Sequence, residues 1–292
     1  MTLEELRTEL QINGELTEIV DALKAVAISE FKNLEEARSK RFSMFLSAFE
    51  GFFQMLDFST IKHPFAQDTT GVTAIVMLTS DERFMGGLNK RIVDEALIHP
   101  SAADATLAVV GQQGSDYLKS LGRDFTRFPE DVSTTNPFDS AIAVRDWMMK
   151  AAVDDQVGSV IVAYPKPVSF IIQKVDLLTL LPCTELLFFE RKEHRRHDEI
   201  LQKKEEVLVD SKLESLIEYL VSTWVAEKLL EVFEDSRQAE LSAKAMRLEE
   251  SFQSLNDTRK GLVHSYHRTH HEALDKGMRD TFSATVMRKK AG

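Results

Sequence analysis

Two short stretches carry residue types whose spacing could do chemistry. The first is "SDERFMGGLN", residues 80–89, which follows the apolar, β-branched run 72–79. Paired glycines between a strand and a helix are a setting in which backbone N–H groups can cradle a phosphate. A dinucleotide fingerprint needs G-x-G-x-x-G and a P-loop needs G-x4-G-K-[ST]. Neither occurs here, and the chain contains no Gly-Lys pair. Gly86 and Gly87 are therefore expected to form a tight strand-to-helix turn, with Asn89 capping locally.

The second stretch is "HSYHRTHHE" near the C-terminus. His264, His267 and His271 stand at i, i+3 and i+7, with Glu272 adjacent, so they share one helical face. Zinc takes imidazole ligands, but three rings strung over two turns of one straight helix cannot all reach one ion. The expectation is a solvated or interfacial face, and the same holds for His194 and His197. No Ser, Cys or Thr stands in a nucleophile frame such as G-x-S-x-G. Asp154 and Asp155 lie in a stretch that reads as exposed, and Cys183 follows Pro182 with no partner suggested by spacing. The residues give no argument for catalysis, for a metal or for a cofactor.

Composition narrows the classes further. The chain has 292 residues, 43% of them hydrophobic, enough for one large core or two modest ones. A formal net charge of -11 argues against nucleic acid and anionic membrane surfaces, which select for basic patches. The single cysteine excludes an intramolecular disulfide framework and fits a reducing compartment. "MTLEELRTEL" has neither the apolar core of a secretory signal nor the Arg-rich character of a transit peptide. No apolar run has the length of a membrane span.

The elements that must position these residues follow from proline. All seven prolines fall between Pro64 and Pro182. Because proline costs about 3 kcal/mol inside a helix, the pattern predicts a helical arm (1–63), a mixed domain (64–182), a charged connector with a packing helix (183–234) and a second helical arm (235–292). In the first arm Leu16, Ile19, Leu23 and Val26 step by 3, 4 and 3. The stripe resumes one register over at Phe42, Phe45, Phe49, Phe52 and Leu56. This reads as a coiled-coil seam with a stutter. The last arm offers Phe252, Leu255, Leu262 and Tyr266 at near-heptad spacing. Each arm spans about 80 Å as a helix, so the two can pair antiparallel.

Ahead of the last arm, Leu213, Ile217, Leu220 and Trp224 form a stripe expected to pack on the middle domain. That domain alternates strand candidates (72–79, 106–110, 159–164, 169–178) with helix candidates (88–98, 114–121, 140–153). The first three strands are continuously apolar, as in a sheet covered on both faces. The run 190–206, "ERKEHRRHDEILQKKEE", reads as solvated.

Taken together, these residues resemble the gamma subunit of rotary F-type ATP synthases, in a divergent or alternative form. In that family a strand leads into S-D-x-G-L-C-G-G-L-N. Ser80, Asp81, Gly86, Gly87, Leu88 and Asn89 match it, with Phe84 and Met85 in place of Leu-Cys. "IVDALKAVAISE" matches an "ITKAMKMVAASK"-like signature through Ala22, Lys24, Val26, Ala27 and Ser29. "LVHSYHRTHHEALDKGMRDTF" is similar to the family's terminal helix, with Tyr266 and Arg268 in the positions of Tyr-Asn-Lys. The departures are electrostatic. The family's first arm is rich in Lys and Arg, where this chain has Glu15, Glu18, Asp21 and Glu30. A terminal R-Q-x-x-I-T-x-E is replaced by residues that include His270, His271, Leu274, Asp275 and Gly277.

The resemblance implies an α/β fold with a long antiparallel coiled coil of N- and C-terminal helices flanking a central Rossmann-like α/β domain. It implies a non-catalytic central-stalk shaft, coupling ion-driven rotation to ATP synthesis or hydrolysis. The partners it implies are the alpha and beta subunits, an epsilon subunit and the membrane c-ring, with no cofactor, no nucleic acid and no membrane insertion. The place implied is the cytoplasmic face of the bacterial inner membrane. Leu23, Lys24, Val26 and Ala27 of the first arm, with His271, Asp275, Met278 and Phe282 of the last, would form the rotor–stator bearing. Two other readings of the same elements are an α/β small-molecule enzyme with helical dimerisation arms and an unrelated coiled-coil scaffold.

Overall fold

In the computed structural model, the described residues are 1–53, 65, 71–82, 85–129, 136–183 and 213–290; side chains at 37–53, 213, 214, 217 and 285–290 are not described. The chain divides into two compact units: residues 1–28 with 244–292, and residues 29–243. Two long helices contribute to both: α1 (Leu3–Phe53) and, at the other end of the chain, α5 (Leu213–Lys290). The last helix runs through positions 234 and 235 without a break.

The unit of residues 29–243 is built on a five-stranded sheet. Its elements are β1 (Thr73–Leu78), α2 (Leu88–Ile98), β2 (Thr106–Val110), α3 (Gln112–Ser120), β3 (Thr126–Arg127), α4 (Pro137–Val153), β4 (Ser159–Pro167) and β5 (Gln173–Leu181). The strand order is β3-β2-β1-β4-β5. The first four strands in that order are parallel, with Val76 opposite Ala108 on one side and Val162 on the other. The edge strand β5 runs antiparallel to β4.

The apolar runs become the buried strands because helices cover both faces. Ala74, Val76 and Leu78 point into one core with Val144 and Met148 of α4 and Leu220, Trp224 and Val225 of α5. Ile75 and Met77, alternating with them, enter the opposite core with Leu88 and Ile92 of α2 and Leu118 of α3. Every residue of β1 is buried. Burying each large side chain contributes about 1.5–3 kcal/mol, and that sandwich fixes the register of the central strand.

Two differences from the sequence expectation have local causes. β5 begins at Gln173 rather than 169 because Ser169 Oγ accepts from the N–H groups of Ile171 and Ile172, folding those residues into a turn. β3, only two residues long, is too short to leave a periodic signature.

Candidate functional site

Residues 80–82 and 85–89 close on one another. The Asn89 side chain is buried and its Oδ1 accepts from the Ser80 N–H at 2.9 Å, tying the start of α2 to the end of β1. Gly86 and Gly87 take φ values of 57° and 83°, the left-handed region that favours glycine. Leu88 N–H then bonds Met85 C=O at 3.0 Å, and the Leu88 side chain is buried. Asp81 Oδ1 accepts from Gln112 N–H at 2.7 Å, at the first residue of α3. A helix N-terminus at the carboxyl end of a parallel strand is a ready anion site. Here the chain's own carboxylate takes it. The six motif residues are thus brought together as a turn in which Asn89 bonds Ser80 while Asp81 bonds the start of α3.

The turn also holds two glycines that sequence reasoning did not single out. A side chain at Gly111 would place its Cβ 2.1 Å from Thr79 O, and one at Gly114 would lie 2.4 Å from Thr79 Oγ1. Their absence lets Thr79 Oγ1 accept from Gly114 N–H at 3.1 Å and donate to Val110 C=O at 2.6 Å. The signal was "GQQG" directly after an apolar strand.

Beside the motif is a pocket of about 370 Å³ lined by residues that include Asp81, Glu82, Arg237 and Glu240. Arg237 reaches three carboxylates: Glu240 at 3.6 Å, Glu82 at 3.9 Å and Glu30 at 4.0 Å. Glu240 is 8% exposed. Burial pushes its carboxyl up to about 7; Arg237 opposes the shift, and Glu82 and Asp81 add to it. Neither residue stands in a recognisable motif, so sequence alone gave no reason to choose them.

The other unit pairs the first part of α1 with the last part of α5. Asn13 Nδ2 donates to Leu255 C=O at 3.2 Å, and Lys24 Nζ meets Glu249 at 3.0 Å. Rising numbers on α1 thus meet falling numbers on α5: the helices are antiparallel. Lys24 also bonds Asp21 at 2.8 Å and lies 4.4 Å from the Phe252 ring centroid. Hydrogen bonds that Lys24 donates to Asp21 and then to Glu249 hold its ammonium above the ordinary lysine range.

The inward series on α1 is not the expected one. Leu6, Asn13, Thr17 and Ala27 are buried, with Leu3, Leu10, Val20 and Lys24 half-buried between them. This is a heptad series one residue out of step with the expected seam. Leu16 and Ile19 are 46% and 56% exposed, so they are not seam residues. Two interleaved series exist on this helix. The inward one is held by polar groups, Asn13 and Lys24, that find partners on α5.

On α5 the expected Phe252, Leu255, Leu262 and Tyr266 are half-buried. Phe42, Phe45, Phe49 and Phe52 carry side chains outside the described residues, as does Leu213. Leu23 and Val26, expected in the bearing, face outward, but Ala27 is 2% exposed and Lys24 is turned to Glu249. Those two therefore offer little surface. His271, Asp275, Met278 and Phe282 are all exposed. Tyr266 stacks on His270 with ring centroids 6.1 Å apart. Among the described residues no three His, Cys, Asp or Glu side chains are grouped to hold a metal ion.

An antiparallel helix pair joined to a mostly parallel sheet defines a class: the fold of ATP synthase central-stalk chains. The chain aligns with a chain of the Euglena gracilis mitochondrial ATP synthase OSCP/F1/c-ring structure at a TM-score of 0.63 and 14% identity, covering 97% of this chain and 93% of that one. A chain of the Tetrahymena thermophila mitochondrial ATP synthase central stalk and c-ring gives 0.56 at 19% identity, covering 80% and 99%. At such identities the likeness concerns the fold. The family itself is fixed by sequence: the model described as ATP synthase matches residues 2–283, and the chain belongs to that family. Among curated relatives, the sodium ion specific ATP synthase gamma chain of Acetobacterium woodii is 21% identical over 285 residues, covering 93% of this chain and 94% of its own. The gamma chain of Staphylococcus aureus strain JH9 is 23% identical over 192 residues, 63% of this chain and 66% of its own.

Proposed function

We propose that this chain is the gamma-type rotor shaft of a membrane ATP synthase or ATPase. Its helix pair turns inside the alpha–beta hexamer, and its α/β domain grips the epsilon subunit and the c-ring. The observation that carries the reading is the antiparallel pairing of the two chain ends, in a chain whose family match runs from residue 2 to residue 283. A single helix bends easily, whereas two packed helices resist bending and can transmit torque. An asymmetric shaft stabilises different conformations of each surrounding subunit as it turns, so rotation and nucleotide affinity become coupled.

The chain contributes this by shape and supplies no catalytic group. Asp81 already occupies the helix N-terminus at which a phosphate would dock. Leu23, Val26, His271, Asp275, Met278 and Phe282 form the bearing. No helix among the described residues is long and apolar enough to cross a membrane, and the shaft is held at the cytoplasmic face of a bacterial inner membrane through its partners.

Co-expression with alpha and beta chains tests this. The expected result is one complex that hydrolyses ATP and loses that activity when this chain is omitted. An isolated chain that binds ATP or NAD with micromolar affinity, and ignores alpha and beta, would instead support a small-molecule enzyme.

A further inference from the structure

The pocket beside the motif turn opens at the carboxyl ends of β1 and β2, whose last residues, Leu78 and Val110, line it. Open, mostly parallel α/β sheets take their ligands in that crevice. Its volume of about 370 Å³ falls in the ordinary range for small-molecule sites, about 300–1,000 Å³. The whole lining belongs to the unit of residues 29–243, with α5 as one wall. Two side chains on that wall keep capacity for a ligand. Ser236 is 5% exposed, yet among the described residues its hydroxyl has no hydrogen-bond partner. Thr223, Ser251 and Thr258 of the same helix each donate to the carbonyl four residues back. Glu240, one helical turn on and therefore on the same face, meets Arg237 only at 3.6 Å, longer than a formed hydrogen bond.

The lining decides the sign of the ligand. Asp81, Glu82 and Glu240 stand against one cation, Arg237. Both helix N-termini at the pocket are already answered. Asp81 caps α3, and at α4 the Asn136 Oδ1 accepts from Phe138 N–H at 3.3 Å. An anion would meet carboxylates where it needs donors, whereas a cation meets acceptors. Among the described residues the carboxylates form no group that could hold a metal ion. Leu78, Val110, Pro137 and Phe233 instead give the pocket apolar walls, against which a hydrocarbon stem can lie.

We infer that this pocket binds a small organic cation, an aliphatic amine whose ammonium group donates to Glu240 and to the Ser236 hydroxyl while its stem lies against Leu78 and Phe233. The site lies within one unit of this chain and does not depend on the rotor-shaft reading. The charged groups around Glu240 are Arg237 on its own helix, Asp81 and Glu82 beyond β1 and, through Arg237, Glu30 of α1. Burial holds the Glu240 carboxyl at about 7. An amine that pairs with the carboxylate must therefore displace a proton at lower pH, so binding tightens as pH rises.

The test is calorimetric titration of the full isolated chain with the four-carbon diamine putrescine. The four-carbon diol and succinate serve as uncharged and anionic probes of the same length. The diamine is expected to bind with a dissociation constant below about 1 mM, and the other two are not. Its affinity should rise about tenfold from about pH 6 to about pH 8, as the ionised fraction of Glu240 grows. Glu240→Gln should remove that rise. Ser236→Ala should weaken binding about tenfold at the higher pH, because a hydrogen bond to a charged group is lost. Cooperative melting without ligand shows that both variants are folded. A diamine that binds no better than the diol or succinate overturns the cation site. A pH rise that persists in Glu240→Gln, or undiminished affinity in Ser236→Ala, puts the bound amine elsewhere and overturns the assignment to this pocket.

Discussion

The sheet unit and the helix pair treat their most apolar residues in opposite ways. In β1 every apolar residue is buried, and the alternation decides only which of two cores it enters. In α1 the row Ile12 to Val26 stays outside while Asn13, Thr17 and Lys24 face the partner helix. The sheet brings its own cover, in the form of helices on both sides, so hydrophobicity there reports burial within the chain. In the helix pair, α1 meets α5 along one stripe and leaves the other exposed among the described residues. The difference teaches that apolar character alone does not predict burial within the chain.

Breaking the sheet unit should give the largest effects. Gly111→Ala would drive a Cβ to within 2.1 Å of a backbone carbonyl at φ 93°. Crowding against backbone that cannot yield, together with a left-handed conformation, should cost at least about 3 kcal/mol. Chemical denaturation would show the loss; an unchanged midpoint would mean that the Thr79–Gly111 approach does not matter. The comparison itself is sharpened by Leu78→Ala and Leu16→Ala, the same chemical change in the two units. Leu78 is 1% exposed and its truncation should cost about 2–5 kcal/mol. Leu16 is 46% exposed, and its truncation should stay within about 0.5 kcal/mol in the isolated chain. Equal losses would erase the distinction drawn here.

Glu240 gives a pH-dependent effect of intermediate size. Its folded value of about 7 lies above the ordinary 4.5, so the folded state holds this proton more tightly than the unfolded chain does. The associated stability is therefore complete below about pH 4.5, falls as pH rises, and is lost above about pH 7. The loss is on the order of 1–3 kcal/mol. Glu240→Gln should flatten that part of the profile and melt higher than wild type at pH 8. Parallel profiles for the two proteins across pH 5–8 would count against the buried carboxyl.

The smallest change lies in the helix seam. Among the described residues Asn13 Oδ1 is buried without a hydrogen-bond partner, although Nδ2 bonds Leu255. Asn13→Leu should raise the melting temperature slightly, by about 1 kcal/mol of stability. It should also loosen the register, since a buried polar residue selects one alignment. A lower melting temperature would show that the single bond to Leu255 outweighs the orphaned oxygen.

Local chemistry made much of this protein legible in advance. The positions of Gly86, Gly87 and Asn89 announced a turn because glycine tolerates positive φ and a short amide can bond nearby backbone. The observed limits of α2 and β2 coincide with the expected 88–98 and 106–110. By contrast, Arg237, Glu240, Glu30 and Glu82 are scattered along the chain and carry no mutual spacing, so only folding brings them together. Asp81 as the cap of α3 was equally invisible, since its partner Gln112 lies 31 residues away.

The sequence by itself determined that two proline-free helices flank a sheet-forming middle, because proline, glycine and runs of β-branched residues act on the backbone within a few positions. It also offered Leu16, Ile19, Leu23 and Val26 as the seam of α1, where the series one residue on is the one that faces inward. Tertiary structure made that choice. A helix turns 100° per residue, so the side that meets α5 is set by where Leu255 and Glu249 lie in space.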